Sequence, residues 1–330
     1  MSPFSRRVLS SVYYVKPLPA IGWPDATNTG YTRAPDFPGS LTPLSGPFTT
    51  SNITYSFRDI GQTTIGLDGG ATPTNVTFHG CRFQVTAPGE ALLRLYGSNI
   101  TFEYCTFMPL AVAAPPVSYA QSYQYALIAD GGYNTFVGAL TVDHCELWGF
   151  HDAITLAGRA GSPLRIIKNS WFHDSADTGG TAHVDFIGHL TDNGNLSNIT
   201  IDHNRMVGAA NSSILGFQYG QYSNFSITNN LIGGGGYAVE VAALHGSPTN
   251  ITFTDNTFTT EIFPNFGPLY PSTFWTGGGN LWRRNKWKVP NGAPWGNPAH
   301  DGWYWMPVGN DLSGMAWNDA SVVSLTDYTG

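Results

Sequence analysis

Charge is scarce in this chain: Asp, Glu, Lys and Arg together make 11% of its 330 residues, about half of the roughly 25% usual in globular proteins. The deficit falls on the helix-forming Glu, Lys and Arg. With 39 glycines and 14% aromatics, the composition reads as an all-β protein with many tight turns. Basic residues are the scarcer sign, 15 against 22 acidic, for a net charge of −7. That balance argues against a nucleic-acid partner, which calls for a basic excess. No stretch approaches the ~20 apolar residues that span a bilayer, so no membrane insertion is expected. Ser5-Arg6-Arg7-Val8-Leu9 faintly echoes a twin-arginine signal, but Lys16 and Pro17 cut the apolar run short and no Ala-x-Ala follows. Export by that route is not expected. Cysteine is rarer still, and the odd count of three lends no support to a secreted disulfide scaffold.

What the chain does have is a repeat. The unit is Asn, apolar, Thr or Ser, apolar, two variable residues, Cys or Asn, one variable residue and a large apolar residue. Clear copies run from Asn75-Val76-Thr77-Phe78 to Cys81 and Phe83, and from Asn99-Ile100-Thr101-Phe102 to Cys105 and Phe107. Others run from Asn198 to Asn204 and Met206, from Asn224 to Asn230, and from Asn250 to Asn256 and Phe258. Weaker copies place Arg58, Cys145, Asn169 and Asn285 at the Cys/Asn position. Nine units follow. Apolar residues alternate within each, as in strands with one buried face. A second short strand follows in most units: Ala91 to Leu95, Ala126 to Ala129, Ala153 to Leu156, Val184 to Ile187, Ile214 to Phe217 and Ala238 to Ala242. Short strands recurring every 22–30 residues predict an all-β fold, a right-handed parallel β-helix of about nine rungs. At ~4.8 Å per rung the rod is roughly 43 Å long. The cysteines then read as small buried fillers in a ladder otherwise made of Asn. The Asn-x-Thr/Ser triplets belong to the repeat and carry little meaning as glycosylation sites.

Three segments result: a proline-rich extended arm over residues 1–50, the β-helix over 51–287, and a Trp-rich cap over 288–330. The arm is expected to cap the rod or to attach it to something. Seven of the ten tryptophans follow residue 270. They cover the open end of the stack or, as Trp275, Trp303 and Trp305, form a platform for sugar rings. Oversized intervals put loops near Met108–Gln124 and His173–Thr181, with a further excursion at Thr191–Asn195. Between and beside them sits the densest polar cluster: His151, Asp152, His173, Asp174, Asp177, His183, Asp185, His189 and Asp192.

Rung alignment brings Asp152 and Asp185 within roughly 5–10 Å of each other. Paired carboxylates at such a separation serve glycoside hydrolysis, so Asp152, Asp174, Asp177, His183 and Asp185 are the catalytic candidates. A lyase would use a Lys, Arg or His base, and Arg159, Arg165 and Arg205 lie near in sequence. His151 and His173, with the three tryptophans named above, are the ligand-binding candidates. The same Asp and His residues also suit loop-bracing hydrogen bonds. Histidine spacing fits no zinc pattern, and neither a metal nor a cofactor is expected.

The segment Ile21-Gly22-Trp23-Pro24-Asp25-Ala26-Thr27-Asn28-Thr29-Gly30 resembles the lead-in to the pectin-lyase-like β-helix of minor tail proteins from phages that infect actinobacteria. Similar stretches are Asn169 to Asp174, His183 to Gly188 and Gly234 to Val239, so the likeness covers most of residues 21–260. Members often carry His-x-Asp-Gly-Ile-Gln; here His183 and Asp185 match, while Phe186 and Gly188 depart. The Asn-Thr-Asp, Asp-Asp, Gly-His-Gly and Arg-Ile-Lys signatures of polygalacturonases are absent. The resemblance implies a virion component, assembled in the host cytoplasm beside other tail proteins, that contacts the host envelope through surface polysaccharide. By analogy with phage fibres it also implies a homotrimer. Two alternatives stay open: a polysaccharide-degrading enzyme, hydrolase or lyase, and a purely structural tail spacer.

Overall fold

Six of the nine repeats begin with an asparagine in the left-handed region, as at Asn75 (φ 56°) and Asn198 (φ 59°), a conformation Asn tolerates better than most residues. The strand that follows alternates. Val76 and Phe78 point inward and are fully buried while Thr77 faces out. A second left-handed residue, such as Gly80, Tyr104, His203 or Asn229, bends the chain out of this strand. The next residue holds the Cys or Asn position, and a short second strand follows with its central large apolar side chain inside, as at Phe83, Leu147 and Phe172.

A computed structural model describes residues 22–86, 89–110, 123–129, 138–156, 163–176, 184–189, 195–208, 212–218, 220–241, 246–259, 262, 267–269, 278–287 and 316–317. These form three parallel sheets of nine, eleven and eight strands. Sheet I holds one strand from each of nine repeats, Ile53–Ser56 through Leu281–Arg283. Sheet II follows the corner, and sheet III carries strands such as Gly89–Leu95, Asp152–Leu156 and Tyr237–Val241. The architecture is a parallel β-helix, with no α-helix among the described residues and none long and apolar enough to cross a membrane. Rungs are numbered one to nine in chain order. In rung five the sheet III strand is Ile187–His189, starting three residues later than the Val184 that alternation suggested.

The corner ladder runs Arg58, Cys81, Cys105, Cys145, Ser170, Asn204, Asn230, Asn256, Asn285. One position corrects the sequence reading: Ser170 holds the rung-five place, and Asn169 is the left-handed residue before it (φ 49°). The ladder has a definite chemistry. The backbone N–H of Cys145 donates to Ser170 Oγ (3.0 Å), Ser170 N–H to Asn204 Oδ1 (3.0 Å) and Asn204 N–H to Asn230 Oδ1 (2.9 Å). The series continues from Asn230 N–H to Asn256 and from Asn256 N–H to Asn285. Each Asn amide also donates to a carbonyl of the preceding rung, as Asn230 Nδ2 does to Ile201 (2.9 Å). The thiols copy this with weaker bonds, Cys105 Sγ to the Phe78 carbonyl at 3.3 Å. All three cysteines are free and buried, and burial pushes the Cys105 thiol well above its ordinary range.

Aromatic rings extend the stacking in rungs two and three. Phe78 lies on Phe102 with centroids 5.5 Å apart and Phe83 on Phe107 at 4.9 Å, pairs worth about 0.5–1.5 kcal/mol each beyond their burial.

The N-terminal segment runs down the rod against the direction of growth. Trp23 stacks on His203 of rung six (5.8 Å), Gly30 N–H donates to the His144 carbonyl of rung four (2.9 Å), and Asp36 pairs with His79 of rung two (2.8 Å). Gly30 (φ 83°) lies so close that a Cβ there would meet Thr106 Oγ1 at 2.6 Å. Strand Thr42–Leu44 then pairs with Arg58–Ile60 and adds a strand to the first rung, and Phe48 closes the core against Tyr55 and Phe78. At the other end Ala316–Trp317 pairs with Lys286–Trp287; the rest of the Trp-rich segment lies outside the described residues.

Replacing Asn230 tests the ladder. Asn230→Leu strips the acceptor from the Asn204 N–H and the side-chain donor from the buried Ile201 carbonyl, so a loss of roughly 2 kcal/mol or more is expected at 1–3 kcal/mol per unsatisfied group. Asn230→Ser, the residue that rung five uses, should cost markedly less. Thermal melts of both variants check the order; equal losses would contradict it.

Candidate functional site

Two clusters of functional side chains emerge, on different sheets. The first lies along sheet III. Register places Asp185 of rung five beside Asp152 of rung four, since Ile154 pairs with Ile187 two residues on. Asp185 N–H donates to Asp152 Oδ1 (2.8 Å), and Ser213 N–H of rung six donates to Asp185 Oδ1 (2.7 Å). Ser213 Oγ in turn donates to Glu240 Oε2 of rung seven (2.9 Å), which also accepts from Gln218 Nε2. His151 lies beneath, its Nδ1 3.3 Å from Asp152 Oδ1. Gly216 supplies the room, because a Cβ there would sit 2.6 Å from the Asp185 carboxyl carbon.

Burial first, then the Asp152 charge beside it, hold the Asp185 carboxyl well above the usual carboxylate range. Burial likewise lifts Glu240 to about 7, against the hydrogen bonds from Ser213 and Gln218 that favour its anion. Inside the rod, burial and then the Arg165 charge hold His189 down to about 4; it is neutral and shares a hydrogen bond with the Tyr222 hydroxyl (3.2 Å). Arg165, near the cluster in sequence, is fully buried in an inward row level with Leu140 and Ile199.

The second cluster stands on the outer face of sheet II. Glu146 and Trp148 of rung four neighbour Trp171 and His173 of rung five, and Arg205 of rung six follows Trp171. Trp171 and His173 stack with centroids 3.6 Å apart, Trp148 lies parallel to His173 at 6.0 Å, and the Arg205 guanidinium sits over Trp171 at 5.8 Å. His173 Nδ1 bonds Asp174 Oδ2 (2.6 Å) and Nε2 bonds Glu146 Oε1 (3.3 Å). Burial disfavours its imidazolium, but these two carboxylates outweigh burial and raise its pKa.

Of the sequence candidates, then, His151, Asp152 and Asp185 meet on sheet III, while His173 and Asp174 meet on sheet II. Asp177, His183, Trp275, Trp303 and Trp305 lie outside the described residues. Glu240, Ser213, Glu146, Trp148 and Trp171, none of them a candidate from the sequence, complete these clusters, and Arg205, near the candidates in sequence, joins the one on sheet II. Their signal was present in the rung spacing, which puts residues 146, 171 and 205 in one outward row. Among the described residues, no group of three or more His, Cys, Asp and Glu side chains could hold a metal ion.

The raised Glu240 makes stability depend on pH with a definite sign. Between its unfolded value near 4.5 and its folded value of about 7, the folded rod binds a proton that the unfolded chain has released. Stability therefore falls as pH rises through that window and stays lower above it. The shift corresponds to roughly 3 kcal/mol. Glu240→Gln keeps an acceptor for Ser213 and removes the charge, so its melting temperature should exceed the parent's at pH 8 and approach it at pH 5. Calorimetry at both pH values checks this; a difference independent of pH would count against it.

Comparison with protein families, with curated proteins and with solved structures finds no match to this chain.

Proposed function

We propose that the chain is a minor tail component of a phage that infects actinobacteria, a rod that contacts the host envelope by binding its surface glycans. In this reading it assembles in the host cytoplasm into the virion, alongside other tail proteins, and associates as a homotrimer. The sequence resemblance over residues 21–260 supports the tail role, and the rigid stacked rod suits it.

The observation that carries the glycan reading is the outer face of sheet II. Partly exposed indoles of Trp148 and Trp171 lie beside Glu146, Asp174 and Arg205 on the outer face of the sheet. Apolar ring surface next to charged hydrogen-bonding groups pairs with both the C–H faces and the hydroxyls of a sugar.

One observation favours a second reading, a polysaccharide-degrading enzyme. Asp152 and Asp185 neighbour each other, and burial together with the Asp152 charge raises the Asp185 carboxyl, as for the acid of a carboxylate pair. It ranks lower because each of the two spends a carboxylate oxygen on a backbone amide of the next rung, which is a bracing role. A structural spacer, the third reading, leaves the sheet II face without a task.

Host-envelope polysaccharide is expected to bind the purified chain without releasing oligosaccharides. Trp148→Ala should weaken binding about tenfold, roughly 1.4 kcal/mol, with its melting temperature little changed. Unaltered affinity in that variant would remove the sheet II face from the proposal, and released oligosaccharides would favour the enzyme. Electron microscopy of the virion tests the tail role, since a rod enclosed by other subunits could not reach the host.

A further inference from the structure

Sheet I opens into a polar groove where its strands are longest. In rungs six and seven the strands Asn195–Asp202 and Gln221–Thr228 begin three residues before the left-handed asparagine, and rung eight follows with Thr249–Thr254. Alternation turns Leu196 and Tyr222 into the core and leaves their neighbours facing out. The register aligns Asn195 with Gln221, and Ser197 with Ser223 and Thr249. The result is two columns of uncharged polar side chains, stepped at about 4.8 Å along the rod. Together with Gly246 and Ser247 they line a groove of about 340 Å³, at the small end of the range that takes small-molecule ligands.

One hydroxyl in this groove is unusual. Ser197 is 5% exposed, and its Oγ has no hydrogen-bond partner in the structure. A buried hydroxyl without a partner is unfavourable, and such groups call for a specific explanation. Here the side chain lines the groove, so a bound molecule can supply the missing bond. Among the described residues that line the groove there is no Lys, Arg, His, Asp or Glu, so none of them pairs with a phosphate, a sulfate, a uronate or a cation. Hydroxyls and amides at regular spacing, each both donor and acceptor, match a ligand that is itself uncharged and rich in hydroxyls.

We infer that this groove is a binding site for a neutral saccharide, with the Ser197 hydroxyl as its buried anchor. The site is separate from the sheet II face, and the inference rests on the reading of the rod as a glycan binder.

The test uses the full chain and calorimetric titration with neutral trisaccharides of glucose, galactose, mannose and arabinose, and a uronic-acid trisaccharide as the charged control. At least one neutral trisaccharide should bind and the control should not. Ser197→Ala removes only an unpaired hydroxyl, so it should melt at or above the parent temperature yet lose at least tenfold in affinity. Ser223→Trp fills the groove and should abolish binding. Three results would overturn the site: no neutral trisaccharide binds, binding is indifferent to both substitutions, or the charged control binds equally well. Host polysaccharide separates the two proposals. If Trp148→Ala weakens its binding while Ser197→Ala and Ser223→Trp do not, the groove falls and the sheet II reading stands; if it does not bind the parent at all, both fall.

Discussion

At each corner between sheets I and II, one side chain reaches back a rung and accepts the backbone N–H that the left-handed bend has turned away from the neighbouring carbonyls. A buried amide left without a partner would cost about 1–3 kcal/mol, and the corner repeats along the rod. The position must therefore carry an acceptor small enough to fit inside. Asn does this with a donor to spare, returning its amide to a carbonyl of the rung it reaches. Ser accepts equally well, whereas Cys accepts weakly, its contact with the Cys105 N–H stretching to 3.4 Å. The thiol rungs sit where Phe78, Phe83, Phe102 and Phe107 stack, so aromatic packing supports the half of the rod whose corner bonds are weakest.

With register fixed from inside, the outer faces are released from holding the fold together, and the three sheets use that freedom differently. Along the corner of sheet II the N-terminal segment spans rungs six to one and ends as an extra strand and a phenylalanine plug over the first rung. This protects a parallel edge that would otherwise invite pairing with another chain. Sheet III carries carboxylates that brace successive rungs, at the cost of raised pKa values for Asp185 and Glu240. The exposed part of sheet II concentrates rings and charge, and sheet I collects hydroxyls.

Much of this was legible in the sequence because a solenoid writes its period directly into the chain. The nine repeats, their inward Val, Ile and Phe, and the ladder of Cys and Asn all follow from spacing alone. The slip at Asn169 has a local cause. Asn suits both the left-handed bend and the ladder, so Asn169-Ser170 offers the more familiar residue one position too early, and only the hydrogen bonds separate them. Asp152 and Asp185 were found because they share a register position. Their tasks were not, since a carboxylate that holds a backbone amide and one that waits for substrate look alike in sequence. The grouping of Trp148, Trp171 and Arg205 was not legible for a different reason: they sit 23 and 34 residues apart, and side chains from successive rungs meet only once the coil is closed. The same holds for Ser197, whose buried, unpartnered state depends on everything packed around it.

Side chains, not carbonyls, hold the corner amides. Native-state hydrogen exchange measures this most directly. The N–H groups of Cys145, Ser170, Asn204, Asn230 and Asn256 should exchange as slowly as the strand amides beside them. Exchange at the rate of exposed loops would contradict the ladder as the element that sets the register of the rod.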